Sequence, residues 1–251
     1  QILETILLCC QPCVSLSHFV DKPNFFPHLM KIFPLCPNIK SLIFPKMEGI
    51  DNYEYLSMLT QNQLNLKHIL IQGPATGKFD ECIRNLQVNR GFQFFGIGFI
   101  DSNLTPLHLT LLLTLIKICS LKSIEFHNAI SDEVLPSFYS AFLNPTIFNS
   151  IYMMNFSGSK NLDLTQLIPK ITPIKILCLA DCNLEIYDIL KNISELQELK
   201  VLDISKNRCS IKFDPDQSIS LPPSLNNINV GYTQFSPNCA LPFLKYLFNN
   251  F

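Results

Sequence analysis

The sequence predicts an α/β solenoid, right-handed and horseshoe-shaped, with short parallel strands on its concave face and helices on its convex one. Three observations predict it. First, an apolar triad at positions 1, 4 and 6 recurs: Ile39/Leu42/Phe44, Leu66/Ile69/Ile71, Phe92/Phe95/Ile97, Leu121/Ile124/Phe126, Phe148/Ile151/Met153, Ile174/Leu177/Leu179, Leu199/Leu202/Ile204 and Leu225/Ile228/Val230. The first positions are 27, 26, 29, 27, 26, 25 and 26 residues apart, a cadence that scattered apolar residues do not produce. Second, positions 4 and 6, two apart, point to one side of a strand. Third, the segments between triads carry apolar residues at helical spacing. A strand–helix unit cannot bury its apolar face alone, so such units stack in file, and the wider helices bend the stack around the strands.

Taken in order, Gln1–Gln11 reads as a helix ended by Pro12, and Cys13/Leu16/His18 is a degenerate first copy. Asn24–Phe33 has helical spacing, with Pro27 restricting where a helix starts. After the Ile39 strand, Asp51 is an N-cap for Tyr53, Leu56, Leu59 and Leu64. The Leu66 strand stops at the Gly73-Pro74 turn signal, and Asp80–Val88 is a short helix. Gly91, Gly96 and Gly98 lack the offsets of a phosphate-binding loop; Gly96 and Gly98 alternate on the open face of a strand, leaving bare backbone there.

Leu104–Cys119 is the longest and most apolar helix, and Ser131-Asp132-Glu133 opens the next, which stops at Asn144-Pro145. Asn161–Ile171 is a shorter segment ending before Pro173. Ile186, Ile189, Leu190, Ile193 and Leu196 form the helix between the two best repeats. Phe213–Gln217 and Leu221-Pro222-Pro223 lack helical pattern, and Leu241–Phe251 is a short terminal helix or strand that caps poorly.

Ile174/Leu177/Leu179/Cys182/Leu184 and Leu199/Leu202/Ile204/Asn207/Cys209 match L-x-x-L-x-L-x-x-N/C-x-L throughout. The chain therefore resembles a leucine-rich-repeat protein over nearly all its length. Steps of 25 to 29 with convex helices look like the ribonuclease-inhibitor class. The resemblance implies a single domain, residues 1–251, of about eight to nine repeats. Because the chain opens on Gln1 in an apolar segment, it reads as a fragment of a longer one.

The formal net charge of −1 offers no global basic field, so no nucleic-acid partner is expected. The most apolar run is 16 residues (104–119) and holds Pro106, His108 and Lys117, too short for a membrane span of about 20 residues. Cys82, Cys119, Cys178, Cys182, Cys209 and Cys239 are scattered singly, which favours reduced, buried thiols and a cytoplasmic location. Cys10-Gln11-Pro12-Cys13 is the one C-x-x-C; it sits between a helix end and a strand, with no second pair to complete a zinc site, so no metal and no cofactor is expected. Five dispersed histidines and the lack of H-E-x-x-H or G-x-S-x-G argue against hydrolysis.

What the pattern does place is a binding face. Residues flanking position 4 point to the open side, and the candidates for holding a protein partner are His68, Leu70, Phe94, Glu125, His127, Tyr152, Met154, Asp203 and Asn229. Ile43, Leu70 and Phe94 make one end apolar, and Glu125 and Asp203 make an acidic patch centred on Tyr152. The expected function is a non-enzymatic protein-interaction scaffold. The irregular, Phe-rich repeats look most like CARMIL-type actin-regulating proteins; a ubiquitin-ligase substrate adaptor and a GTPase-activating or effector module are the alternatives.

Overall fold

The structure, a computed structural model, describes residues 13–15, 31, 39–44, 46, 53, 66–75, 78–88, 96–141, 150–210 and 219–250. The expected helix over 1–11, most of 24–33, Phe94 and residues 213–217 lie outside the described residues. Two compact units divide the chain, Gln1–Glu125 and Phe126–Phe251.

In the first unit, β1 (Cys13–Ser15), β2 (Ser41–Phe44), β3 (His68–Gln72) and β4 (Gly96–Ile100) pair in sequence order, all parallel. β5 (Ser123–His127) follows, and the unit boundary falls within it. Parallel neighbours need a crossover, and helices α1 (Phe79–Val88) and α2 (Pro106–Cys119) supply two of them. α1 buries Phe79, Cys82 and Ile83. Phe79 packs on Tyr53, Phe99 and the His108 ring, with centroids 5.1, 5.7 and 4.4 Å away.

α2 begins where the sequence provides every start signal. Thr105 Oγ1 accepts from His108 N–H, the His108 ring answers by accepting from Thr105 N–H, and Pro106 fills the first helical position, where its missing donor costs nothing. It ends at Ser120 in the left-handed conformation. Leu109, Leu112, Leu115 and Ile116 form its buried stripe.

In the second unit, β6 (Met153–Asn155), β7 (Ile176–Cys178) and β8 (Val201–Asp203) pair parallel, and Asn227–Asn229 pairs beside β8. Between β8 and that strand, β9 (Arg208–Cys209) leaves the face, so Asn227–Asn229 is β10; β9 pairs instead with β11 (Gln234–Phe235) in a separate two-stranded ladder. Helices α3 (Leu135–Ala141), α4 (Leu164–Leu167, continued by a 3₁₀ turn over Ile168–Lys170), α5 (Ile186–Ile193) and α6 (Ala240–Asn250) complete the unit. α5 buries Ile186, Ile189, Leu190 and Ile193, four of the five residues whose spacing predicted it; Leu196 lies beyond its end.

Strand register corrects two of the eight expected triads. Ile69 lies opposite Ile97 and Ile71 opposite Phe99, so positions 4 and 6 of the third triad are Ile97 and Phe99 rather than Phe95 and Ile97. Met154 lies opposite Leu177, so the fifth is Ile151/Met154/Phe156, each buried, rather than Phe148/Ile151/Met153. In both places a Phe or Met two or three residues away satisfied the same pattern, and apolarity alone could not choose.

The corrected frame exposes two further regularities. Position 8 has positive φ in every described repeat from Leu66 on: Gly73, Asp101, Asn128, Gly158, Asp181, Lys206 and Tyr232, at 110, 52, 47, 78, 55, 58 and 57°. This is where the chain turns off the strand, and five of the seven residues are Gly, Asn or Asp, which enter that region at least cost; Lys206 and Tyr232 are the exceptions.

Position 9 then reaches back to the preceding coil. Ser102 Oγ donates to Ile71 O (3.4 Å), Ser159 Oγ to Phe126 O (3.4 Å), Cys182 Sγ to Phe156 O (3.2 Å) and Asn207 Nδ2 to Leu179 O (2.7 Å). In every case the acceptor is the position-6 carbonyl one coil earlier. Asn207 does most: its Oδ1 also accepts from Cys182 N–H (3.1 Å) and Leu184 N–H (3.0 Å). Buried backbone groups at the turn are thereby satisfied without water.

Candidate protein-binding face

Positions 3, 5 and 7 of each strand point away from the core, and their character follows from what the neighbouring strand offers. In the first unit, β4 contributes glycine at both positions 3 and 5. Gly96 lies opposite His68, and Gly98 opposite Leu70. The glycines are not bare: a Cβ on Gly96 would stand 2.7 Å from His68 Cδ2 and 2.9 Å from Ser123 Cβ, and one on Gly98 would stand 2.2 Å from Leu70 Cδ2. Side chains of β3 and β5 therefore meet across a strand that has none.

That meeting is a hydrogen bond. His68 Nε2 donates to Glu125 Oε1 at 2.8 Å, and His68 Nδ1 faces Ser41 Oγ at 3.3 Å, so the ring accepts from the hydroxyl on its other side. Glu125 is 6 % exposed, a carboxylate sunk into a face that the pattern leaves open. Ser123 Oγ, beside it, is buried without a partner.

Ser41, His68 and Glu125 form a hydroxyl–imidazole–carboxylate chain. Acyl transfer needs in addition N–H donors aimed at a developing oxyanion. The nearby N–H groups of His68 and Gly96 are committed to the carbonyls of Lys40 (3.0 Å) and Lys67 (2.8 Å). The chain of contacts holds side chains in place over the glycine strand. Its only sequence signal was the pair of glycines, and that signal was legible once the register was right.

In the second unit, position 5 is Cys178 in the Ile174 repeat and an Asx side chain that caps its own turn in the other three. Asn155 Oδ1 accepts from Ser157 N–H (2.9 Å), Asp203 Oδ1 from Ser205 N–H (2.9 Å) and Asn229 Oδ1 from Gly231 N–H (3.0 Å). Asn229 Nδ2 also donates to Asp203 Oδ2 (3.1 Å), and Asn155 Nδ2 donates to His127 Nε2 (3.1 Å). Asp203 and Asn229 thus stand on the face as expected, but with their side chains already engaged by the turn below them.

His68, Leu70 and Glu125 share the face of the first unit, and His127, Asp203 and Asn229 that of the second. Met154 is corrected: it occupies position 4 and is fully buried, and Met153 takes its place on the face, half-buried. Tyr152 is corrected too. It falls at position 2, in the column of Lys175 and Lys200, where its carbonyl accepts from Lys175 and Ile176 N–H and burial pushes its phenol up; it does not centre a patch between Glu125 and Asp203. Phe94 lies outside the described residues. The expectation of a bare backbone patch at Gly96 and Gly98 is likewise corrected, since neighbouring side chains roof both glycines.

Among the described residues there is no group of three or more His, Cys, Asp or Glu placed to hold a metal ion. No described helix is long and apolar enough to cross a membrane. Desolvation pushes the buried Cys182 and Cys209 thiols up to about 12.

No family model and no curated protein matches the chain. Among solved structures, the crystal structure of the TLR13–ssRNA13 complex contains a chain that is similar with a TM-score of 0.50 and 15% identity, covering 94% of this chain and 35% of that one. This chain spans about a third of the length of that neighbour. At such identity the likeness concerns the fold, and together with the parallel strands, the convex helices and the position-9 hydrogen bonds it makes the architecture that of a leucine-rich-repeat solenoid.

Proposed function

We propose that the chain is a non-enzymatic protein-interaction scaffold that holds a partner protein on its strand face. The observation that carries this reading is the mixture on that face. Half-buried Ile43, Leu70 and Ile100 in the first unit, and Met153, Ile176 and Val201 in the second, stand beside side chains fixed by hydrogen bonds. Apolar anchors among oriented polar groups, on a rigid sheet, are what a protein interface is made of. The convex helices and long steps support the ribonuclease-inhibitor class, with a single domain of eight to nine repeats. The six cysteines at 82, 119, 178, 182, 209 and 239, scattered singly and forming no disulfide, support a cytoplasmic setting. Within it the CARMIL-like repeats favour actin-regulating machinery as the partner over a cullin adaptor or a small GTPase.

The test compares capture by the wild-type chain with capture by Leu70→Asp and Ile176→Asp, each folded by circular dichroism. A protein among the actin-capping factors, retained by the wild type and lost by at least one variant, supports the reading. A second reading has its own observation. Lys40, Lys67 and Lys122 in the first unit, and Lys175 and Lys200 in the second, are exposed at position 2, and the TLR13 neighbour is named in complex with ssRNA13. Bound material that is released by nuclease, or that is lost with Lys67→Glu and Lys122→Glu but kept by the face variants, would replace the protein partner with a nucleic acid. Labelling of Ser41 by a serine-reactive phosphonate would overturn the non-enzymatic reading.

A further inference from the structure

Two buried cysteines that form no disulfide, Cys209 and Cys239, lie near the end of the second unit. Cys209 stands at position 11 of the Leu199 repeat, on β9, opposite Phe235 of β11. Ser236 N–H donates to the Cys209 carbonyl at 3.0 Å, which fixes the next turn against it. Cys239 N–H then donates to Ser236 O at 3.0 Å, Ser236 Oγ donates to Cys239 Sγ at 2.8 Å, and the Cys239 carbonyl accepts the first hydrogen bond of α6 from Phe243 at 3.0 Å. Backbone and sulfur of Cys239 are thus both held, and its thiol lies near enough to that of Cys209 to add to the upward push that burial gives the latter.

We propose that Cys209 and Cys239 are a disulfide-forming pair, oxidised by a small-molecule disulfide, whose bond staples α6 to the coil before it. The thiolate of Cys239 attacks one sulfur of the reagent and expels one thiolate, leaving a mixed disulfide on Cys239. Cys209 loses its proton to solvent and attacks the Cys239 sulfur; the S–S bond between the two cysteines forms, the mixed disulfide breaks, and a second reagent thiolate leaves and takes up a proton. The two cysteine sulfurs give up two electrons, and the reagent is reduced to two thiols. Burial pushes the Cys209 thiol up to about 12, so it ionises for the resolving step once opening of α6 lets water reach it, and its nearness to the Cys239 sulfur favours the attack.

The bond would lie where the unit most lacks other support. β10 is the least buried of the described face strands, with Ile228 and Val230 only half-buried. α6 leaves Leu241, Leu244 and Phe248 exposed. Because both sulfurs are buried, the reagent reaches them when α6 opens locally, short of global unfolding.

The whole chain, reduced and then incubated with glutathione disulfide at pH 8 across a series of urea concentrations below its unfolding midpoint, tests this. The expected product is 2 Da lighter, with residues 209 and 239 cross-linked in a peptide map. Its Tm should be raised by about 5 °C or more and restored by reductant. Cys239→Ser should abolish both changes, whereas Cys182→Ser, whose thiol donates to backbone carbonyls, should keep both. Cys209→Ser is the second arm. Absence of the 209–239 cross-link at every urea concentration, or its formation with no change in Tm, would overturn the proposal.

Discussion

At the scale of single residues, Gly98 shows how one missing side chain makes room for a contact between two others. With any Cβ there, Leu70 and Glu125 would have to give way, since the new atom would stand 2.2 Å from Leu70 Cδ2 and 2.9 Å from Glu125 Cβ. Gly98→Val should therefore lower stability by about 1–3 kcal/mol, the usual cost of overpacking, measured by chemical denaturation. Asn207→Ala should cost about 3 kcal/mol, because Cys182 and Leu184 N–H would be left buried without an acceptor. Thr233 behaves in the opposite way. It holds position 9 of the last repeat, its hydroxyl is buried without a partner, and Thr233→Val should be neutral or stabilising by about 1 kcal/mol. A loss of more than 1 kcal/mol there would mean that the hydroxyl is engaged in solution.

At the scale of elements, α4 depends on its cap. Asp163 accepts from Thr165 N–H at 3.0 Å, from Thr165 Oγ1 at 2.6 Å and from Gln166 Nε2 at 2.6 Å, and these hydrogen bonds hold its carboxyl below the usual carboxylate range. A folded-state pKa below the unfolded one contributes stability above the unfolded value and loses it as pH falls through the folded value. Asp163→Ala should then cost about 1 kcal/mol at pH 7, and the gap to wild type should close in acid as the carboxyl protonates. An undiminished gap at pH 2 would rule this out.

The elements also show what the sequence could reveal. α2 was legible from its apolar length and α5 from its helical spacing. The Leu121, Ile174 and Leu199 triads were legible because one apolar reading fitted each. β4 and β6 were misplaced because aromatic and Met residues crowd their approaches, and apolar spacing is silent about which of them faces inward. The Asp, Asn or Gly at position 8 would have settled both, since the conformation demanded there is indifferent to hydrophobicity. β9 and β11 were missed: two residues each, they are set by what they pair with, and no local pattern announces them. The His68–Glu125 bond was hidden for the same reason, as it joins residues 57 apart across an intervening strand.

At the scale of the molecule, each described coil is satisfied chiefly by its neighbours, so perturbations should stay local. Asn207→Ala should speed amide exchange in β7, α5 and β8 and leave α1 and α2 unchanged; uniform acceleration over the chain would mean the units open together. The position-9 hydrogen bonds add a polarity to this picture. Each donor side chain reaches back one coil, and none of those described reaches forward. Peeling the chain from its later end thus strips a protective lid from the coil exposed next, whereas peeling from the earlier end merely frees a side chain to meet water. Fraying should be easier in one direction than in the other, like a zip that runs open from a single end.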